Sequence, residues 1–336
     1  MIDLIQSQLT FTNLILLFII AAVLLMTLLG FVSYAIYFER KFIGWIQLRI
    51  GPNRTGPLGL FQSFADILKL LIKEDVIPTK ADKTLFIIAP VIAFAPAFIV
   101  LATIPYAENL PFADLNVGLL YYIAISGLTT LGMLMGGWAS NNKYALLGGM
   151  RSAAQMISYE VPLVISVIGV ILMTGSLKLS AIVEGQAGYI WNWNIFPQAV
   201  AFIIFLIAAV SELNRTPFDL PEAESELVAG YHVEYSGFRF AFFMLAEYTY
   251  VFAFSALTTI LFLGGWHAPL PALEFVPGIL WFLLKFSFMV FFLYWIRATL
   301  PRLRVDQLMG LGWKVLLPIA LVNVFITAIV LEIIRN

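Results

Sequence analysis

Three charged residues interrupt otherwise apolar stretches: Glu160 within residues 152–177, Glu247 within 240–263 and Lys285 within 277–296. A charge at the centre of a membrane-spanning helix costs about 2.5 to 3.5 kcal/mol. Three left unpaired and facing lipid would cost on the order of 8 to 10 kcal/mol, which rivals the stability of a whole domain. They must therefore face a bundle interior, pair, hydrate or be neutral, and intramembrane proton relays are built at such positions. Lys285 and Glu247 neutralising each other is the plain structural alternative, and spacing leaves it open. A second concentration of charge comprises Glu212, Asp219, Glu222, Glu224, Glu226 and Glu234, with Arg215 and Arg239 among them. An N-cap followed by Pro221 in a first helical turn accounts for Asp219 and Glu222, because acids there favour the helix dipole. It accounts poorly for Glu224, Glu226 and Glu234, since carboxylates this dense raise one another's pKa unless they share protons or counter-charges. The chemistry such a cluster offers beside a membrane is proton handling.

The elements that must hold these groups follow from composition. The chain has 336 residues, 61% hydrophobic and 12% charged, whereas a soluble domain carries about 25% charged residues. An integral membrane protein is the remaining class. With 19 Lys+Arg against 20 Asp+Glu and a net charge of −1, there is no nucleic-acid footprint. The absence of cysteine excludes disulfides, Cys-ligated iron–sulfur clusters, zinc ribbons and thiol nucleophiles within this chain, and His232 and His267 are its only histidines. No metal site is expected. There is no Walker loop, dinucleotide-binding Gly-rich turn or nucleophile elbow.

Continuous apolar runs predict an all-α integral membrane protein, a single membrane domain over 1–336 with eight transmembrane helices. The spans fall at about 13–38, 84–105, 116–138, 153–175, 195–213, 240–263, 277–296 and 315–334. Placing the end of the first helix inside puts 16 of the 19 Lys and Arg on one side, which predicts both termini outside and the long loops inside. Within the first inner loop Leu60, Phe61, Phe64, Ile67, Leu68, Leu71 and Ile72 recur at helical spacing, while Gln62, Asp66, Lys69 and Lys73 take the other face. An amphipathic helix over about 58–74 is expected, anchored in the headgroup plane or lining the entrance of a lipid-soluble ligand. Gly127, Gly132 and Gly136 predict close helix packing.

Several motifs together resemble one family. They are Glu39-Arg40-Lys41, Gly51-Pro52-Asn53-Arg54-x-Gly56, Ser158-Tyr159-Glu160, Asn214-Arg215-x-Pro217-Phe218-Asp219-Leu220-x-Glu222-x-Glu224-x-Glu226-Leu227, Glu234-Tyr235-Ser236, Ala246-Glu247-Tyr248 and Arg297-Ala-Thr-Leu-Pro301-Arg302-x-Arg304-x-Asp306-Gln307. The chain resembles, over its whole length, the H subunit of bacterial NADH:quinone oxidoreductase, the counterpart of subunit 1 of mitochondrial complex I. The resemblance implies a multi-pass subunit of the bacterial inner membrane. Its neighbours would be quinone-site subunits of the peripheral arm and small subunits of the membrane arm, with flavin and iron–sulfur clusters held by partners and quinone as substrate. It further implies a quinone chamber bordered by Glu39, Arg40, Arg49, Phe218, Arg297 and Arg302. Glu160, Glu212, Asp219, Glu222, Glu224, Glu226, Glu234 and Glu247, with Lys285, would form a path linking quinone chemistry to proton movement. Two other readings stay open: a membrane subunit of a related energy-converting hydrogenase, and a stand-alone ion transporter, for which only an Asn-Arg-Thr echo at 53–55 and 214–216 speaks.

Overall fold

A computed structural model describes residues 11–108, 113–221 and 224–335, and among them every regular element is helical. Helix α1 spans Phe11–Ile46, the short amphipathic helix α2 Gln62–Ile72, and α3 Lys83–Leu101. Gly127 divides the next crossing into α4 (Gly118–Ser126) and α5 (Leu128–Ala139). Then come α6 (Lys143–Thr174), α7 (Leu179–Glu184), α8 (Ala199–Glu212) and the single turn α9 (Glu224–Leu227). The chain closes with α10 (Gly237–Phe262), α11 (Gly278–Thr299), α12 (Val305–Gly310), a π-helical stretch Leu311–Leu316, and α13 (Leu317–Arg335). Long apolar segments become helices because lipid offers no partner for backbone amides, and a helix satisfies them internally.

Seven helices among the described residues are long and apolar enough to cross a membrane, against the eight expected. The difference lies at 195–213. There α8 has 14 residues, about 21 Å at 1.5 Å per residue, short of a hydrocarbon core of about 30 Å. Other boundaries move too. The first helix runs on to Ile46, α6 starts at Lys143 instead of near 153, and the amphipathic helix occupies 62–72. Extending α6 places Glu160 seventeen residues from its start, about 25 Å along the axis, deeper in the helix than the expected boundary implies.

The core is built from α3, α6, α8 and α10, with Val167, Phe205, Phe254 and Leu257 fully buried or nearly so. Small residues set the closest approaches: a Cβ at Gly132 would stand 2.5 Å from the backbone nitrogen of Ala93, so α5 can lie against α3 only with glycine there. Helix α2 meets α1 through its one buried residue, Ser63, whose hydroxyl donates to the Ser33 carbonyl at 2.7 Å. Its Phe64, Leu68, Leu71 and Ile72 are left exposed, as a lipid-facing stripe requires.

Candidate functional site

Four charges from distant parts of the chain close on one another inside the bundle. Glu39 on α1 accepts from Arg215 at 3.2 Å and from Arg297 on α11, and Arg215 Nε donates to Glu247 on α10 at 2.7 Å. Glu39 and Arg215 are each 2% exposed. The Arg215 guanidinium also lies over the Tyr248 ring at 4.4 Å and the Tyr294 ring at 5.7 Å. Two carboxylates against two guanidiniums leave the cluster neutral, the condition under which buried charge is tolerated.

Arg215 reaches this position because α8 stops early. The chain leaves the helix through Asn214, whose φ of 50° suits asparagine's tolerance of the left-handed region, and residues 213–215, 217, 218, 220 and 221 are buried without regular structure. Irregular backbone inside a membrane bundle needs internal partners. Gln155 on α6 supplies them, its amide nitrogen donating to the carbonyls of Ser211 at 2.7 Å and Phe218 at 2.8 Å and to Asn214 Oδ1 at 3.1 Å. Leu303 N donates to the Pro217 carbonyl at 3.0 Å, and Phe218 packs on Tyr159 with ring centroids 5.6 Å apart. Much of the acidic segment is therefore a plug in the bundle and not a solvated loop.

A second polar group lies behind this plug. Glu212, at the end of α8, is within electrostatic reach of Glu160 on α6 and of Tyr122 and Tyr250. The Tyr250 hydroxyl is 2.5 Å from Thr129 Oγ1 and donates to the Ser126 carbonyl at 3.4 Å. Gly127 is part of this site: a Cβ there would stand 2.9 Å from Glu160 Oε1. Its role is to make room for a carboxyl group, beyond the helix packing that its sequence neighbourhood predicts.

The remaining expected residues scatter. Glu226 is exposed and pairs with Arg151 at 2.6 Å, a bond that holds its carboxyl below the ordinary range. Glu234 accepts from Asn142 at 2.7 Å. Asp219 is half-buried between Phe218 and Leu220, while Glu222 and the Glu224 side chain lie outside the described residues. Arg40 pairs with Asp66 at 2.6 Å, Arg49 donates to Gln47 at 2.7 Å, and Arg302 lines a surface cavity with Glu226.

Lys285 does not join the carboxylates. Its ammonium donates to the carbonyls of Gly265 at 3.0 Å and His267 at 2.7 Å and stands 4.0 Å from the centre of the Trp193 ring, at the far end of α10 from Glu247. It ties together two carbonyls of the turn that follows that helix, and Glu247 takes Arg215 as its partner, so the two spans' charges do not neutralise each other.

Arg215, Gln155, Tyr248, Tyr250 and Thr129 fall outside the set marked by sequence. In the sequence Arg215 reads only as a counter-charge of the acidic cluster. Gln155 carries a usable signal, a bare amide in an apolar run, whereas a tyrosine or threonine in such a helix carries none. His232 is buried against Tyr231, and that burial pushes its imidazole down to about 4.

Among the described residues no group of three or more His, Asp or Glu side chains is placed to hold a metal ion. The class these features define is a polytopic α-helical membrane protein with a neutral network of opposite charges centred on the buried Glu39 and Arg215. A family model described as NADH dehydrogenase matches residues 19–328. The chain is 67% identical over 316 residues to the H subunit of NADH-quinone oxidoreductase from Brevibacillus brevis, covering 94% of this chain and 93% of that one. It is 66% identical over 329 residues to the H subunit from Anoxybacillus flavithermus and 64% identical over 331 residues to that of a Geobacillus strain, each covering 98% of both chains. The chain belongs to this family, the H subunits of NADH-quinone oxidoreductase.

Proposed function

We propose that this chain, a membrane subunit without a complete active site of its own, forms one wall of a quinone chamber and the start of an acidic path from it. Family membership supports the assembly, and the buried Glu39–Arg215–Glu247–Arg297 network carries the rest of the reading. Quinone is the substrate, and the redox groups belong to partner subunits of the peripheral arm. Arg40 and Arg49 line the approach from α2, and Phe218 and Arg302 brace the plug.

Reducing a quinone takes up two electrons and two protons, so negative charge develops before protons arrive. A neutral network of mobile charge pairs responds to that field by shifting a pair or a proton. Glu247 and Glu39 feel it first. The plug then transmits the change to Glu212 and Glu160, where the hydroxyls of Tyr250 and Thr129 provide proton-transfer partners. Asp219, Glu222, Glu224, Glu226 and Glu234 continue the path to the inner surface. Lys285 is left out, because it is engaged at the other end of α10. In this arrangement α8 and its irregular flanks make the eighth crossing, both termini face outward and the loops rich in Lys and Arg face the cytoplasm of a bacterial inner membrane.

The test is Glu247→Gln in the intact complex. Quinone-linked NADH oxidation is expected to fall by about tenfold or more, a loss of roughly 1.4 kcal/mol of barrier lowering, while oxidation by a hydrophilic acceptor stays at the wild-type rate. Wild-type quinone-linked turnover in that variant would overturn the reading.

A further inference from the structure

The half of α1 remote from Glu39 leaves a gap against the bundle. Its Phe18, Ile19, Val23 and Met26 are exposed, and between it and the helices behind it lies a cavity of about 370 Å³. Leu28 and Phe31 of α1, Phe98 and Leu101 of α3, Ala256 of α10 and Leu283 of α11 are among its walls. Phe31 and Leu283 are 65% and 45% exposed, so the cavity opens sideways onto surface that the bilayer covers. It is separate from the charge network. Leu283 precedes Arg297 by 14 residues, about 21 Å along α11, and the Phe252 and Phe286 rings, 5.7 Å apart, close the wall between α10 and α11.

The lining decides what can enter. Among the described residues it carries no charge, and its two hydroxyls are spent on backbone carbonyls: Thr27 donates to Val23 O at 2.8 Å and Tyr106 to Leu101 O at 3.1 Å. Water finds no partners in such a space, and apolar cavities of this kind stay dry. A peptide segment without regular structure would bring amides that find no acceptor. A helix about 10 Å across takes up about 420 Å³ in a single turn of 5.4 Å, more than the whole cavity. A quinone head group would bring carbonyl oxygens that find no donor. What remains is a bare hydrocarbon chain. An apolar cavity of about 150 Å³ takes one benzene ring of six carbons, so this one has room for about fifteen, the size of one fatty acyl chain.

We propose that this cavity binds one acyl chain of a phospholipid, which fills the space behind α1 and completes the packing of that helix. The headgroup stays at the bilayer surface, at the end of the bundle remote from the charge network, and only the chain enters. Enclosed by four helical segments, the chain gains contacts on sides where a bulk lipid has only mobile neighbours, so it exchanges more slowly than the lipid around it.

The experiment uses the intact complex in proteoliposomes containing phosphatidylcholine with a diazirine at the end of one acyl chain. Samples are irradiated before or after exchange into detergent, and the labelled peptides are mapped. Label is expected around Phe31, Phe98 and Leu283, and on the exposed Phe325 and Ile329 of α13 as a measure of ordinary lipid contact. Detergent exchange should lower the α13 label by about tenfold or more and the cavity label by less than about twofold. Narrowing the cavity by Leu283→Trp or, from another wall, by Ala102→Phe should lower the cavity label by about fivefold in either assembled variant, with the α13 label unchanged. Cavity label lost together with α13 label on detergent exchange, or undiminished in both variants, overturns the site. Displacement by excess long-tailed quinone overturns it too, since the cavity would then belong to the substrate's path. The function proposed above is independent of these results and is decided by Glu247→Gln.

Discussion

Replacing Arg215 by Met removes one charge from the neutral network and leaves Glu39 and Glu247 facing Arg297 alone. Two unit charges about 4 Å apart attract by about 4 kcal/mol at an effective dielectric of about 20, and Arg215 has two carboxylate partners, at 3.2 and 2.7 Å. Losing both attractions is partly offset because the guanidinium no longer has to be desolvated. Measured losses on breaking buried pairs set the net cost at about 3 to 5 kcal/mol. The same reasoning fixes the sign of a rescue. Arg215→Met combined with Glu247→Gln leaves Glu39 with Arg297, neutral again, so the double variant should recover about 2 kcal/mol or more of the loss. The assay is the apparent melting temperature of the detergent-solubilised complex at one scan rate, with assembly checked on a native gel. Arg215→Met should melt well below wild type, with the double variant between them. A single variant that melts with wild type, or a double variant with the two losses added, would refute the charge-balance argument.

Four further outcomes follow from the geometry. Gln155→Leu removes three hydrogen bonds that tie the segment to α6, leaving the Ser211 and Phe218 carbonyls only their backbone donors Asn214 N and Leu220 N, each lost bond being worth about 1 kcal/mol, and limited proteolysis near residues 213–220 should accelerate. Gly127→Ala pushes a methyl group to 2.9 Å from Glu160 Oε1, so proton translocation should fall while NADH oxidation by a hydrophilic acceptor is unchanged. Lys285→Met frees the two carbonyls of the turn after α10 and should lower the melting temperature without altering protons moved per electron, a ratio measured in proteoliposomes. His232 sits at about 4, below its ordinary 6.5. Its neutral burial therefore contributes fully above pH 6.5 and is lost as pH falls toward 4, by roughly 3 kcal/mol at most. His232→Gln should flatten the decline of melting temperature between those limits.

Apolar runs are enough to place seven of the crossings, because lipid leaves the backbone no alternative to helix. The eighth run forms a helix shorter than a full span for a physical reason. Its hydrophobicity comes from burial against α6 and α10, so α8 can stop after 14 residues and let the chain turn inward. Glu160 and Glu247 stand out in the sequence because each breaks an apolar run. The rest of the network does not: Glu39 and Arg297 lie 258 residues apart, and only the packing of α1 against α11 joins them. Lys285 stands out in the same way, but the sequence does not show that its ammonium holds two carbonyls of the turn after α10. Gly127 is visible as a glycine, but the carboxyl it accommodates comes from another helix.

The most direct measurement is the number of protons translocated per NADH oxidised in proteoliposomes carrying the complex with Glu212→Gln, followed by pH-dye quenching against simultaneous NADH consumption. If the plug links the Arg215 network to Glu212 and Glu160, the ratio should fall well below wild type while residual quinone-linked electron transfer continues. A wild-type ratio would contradict the account.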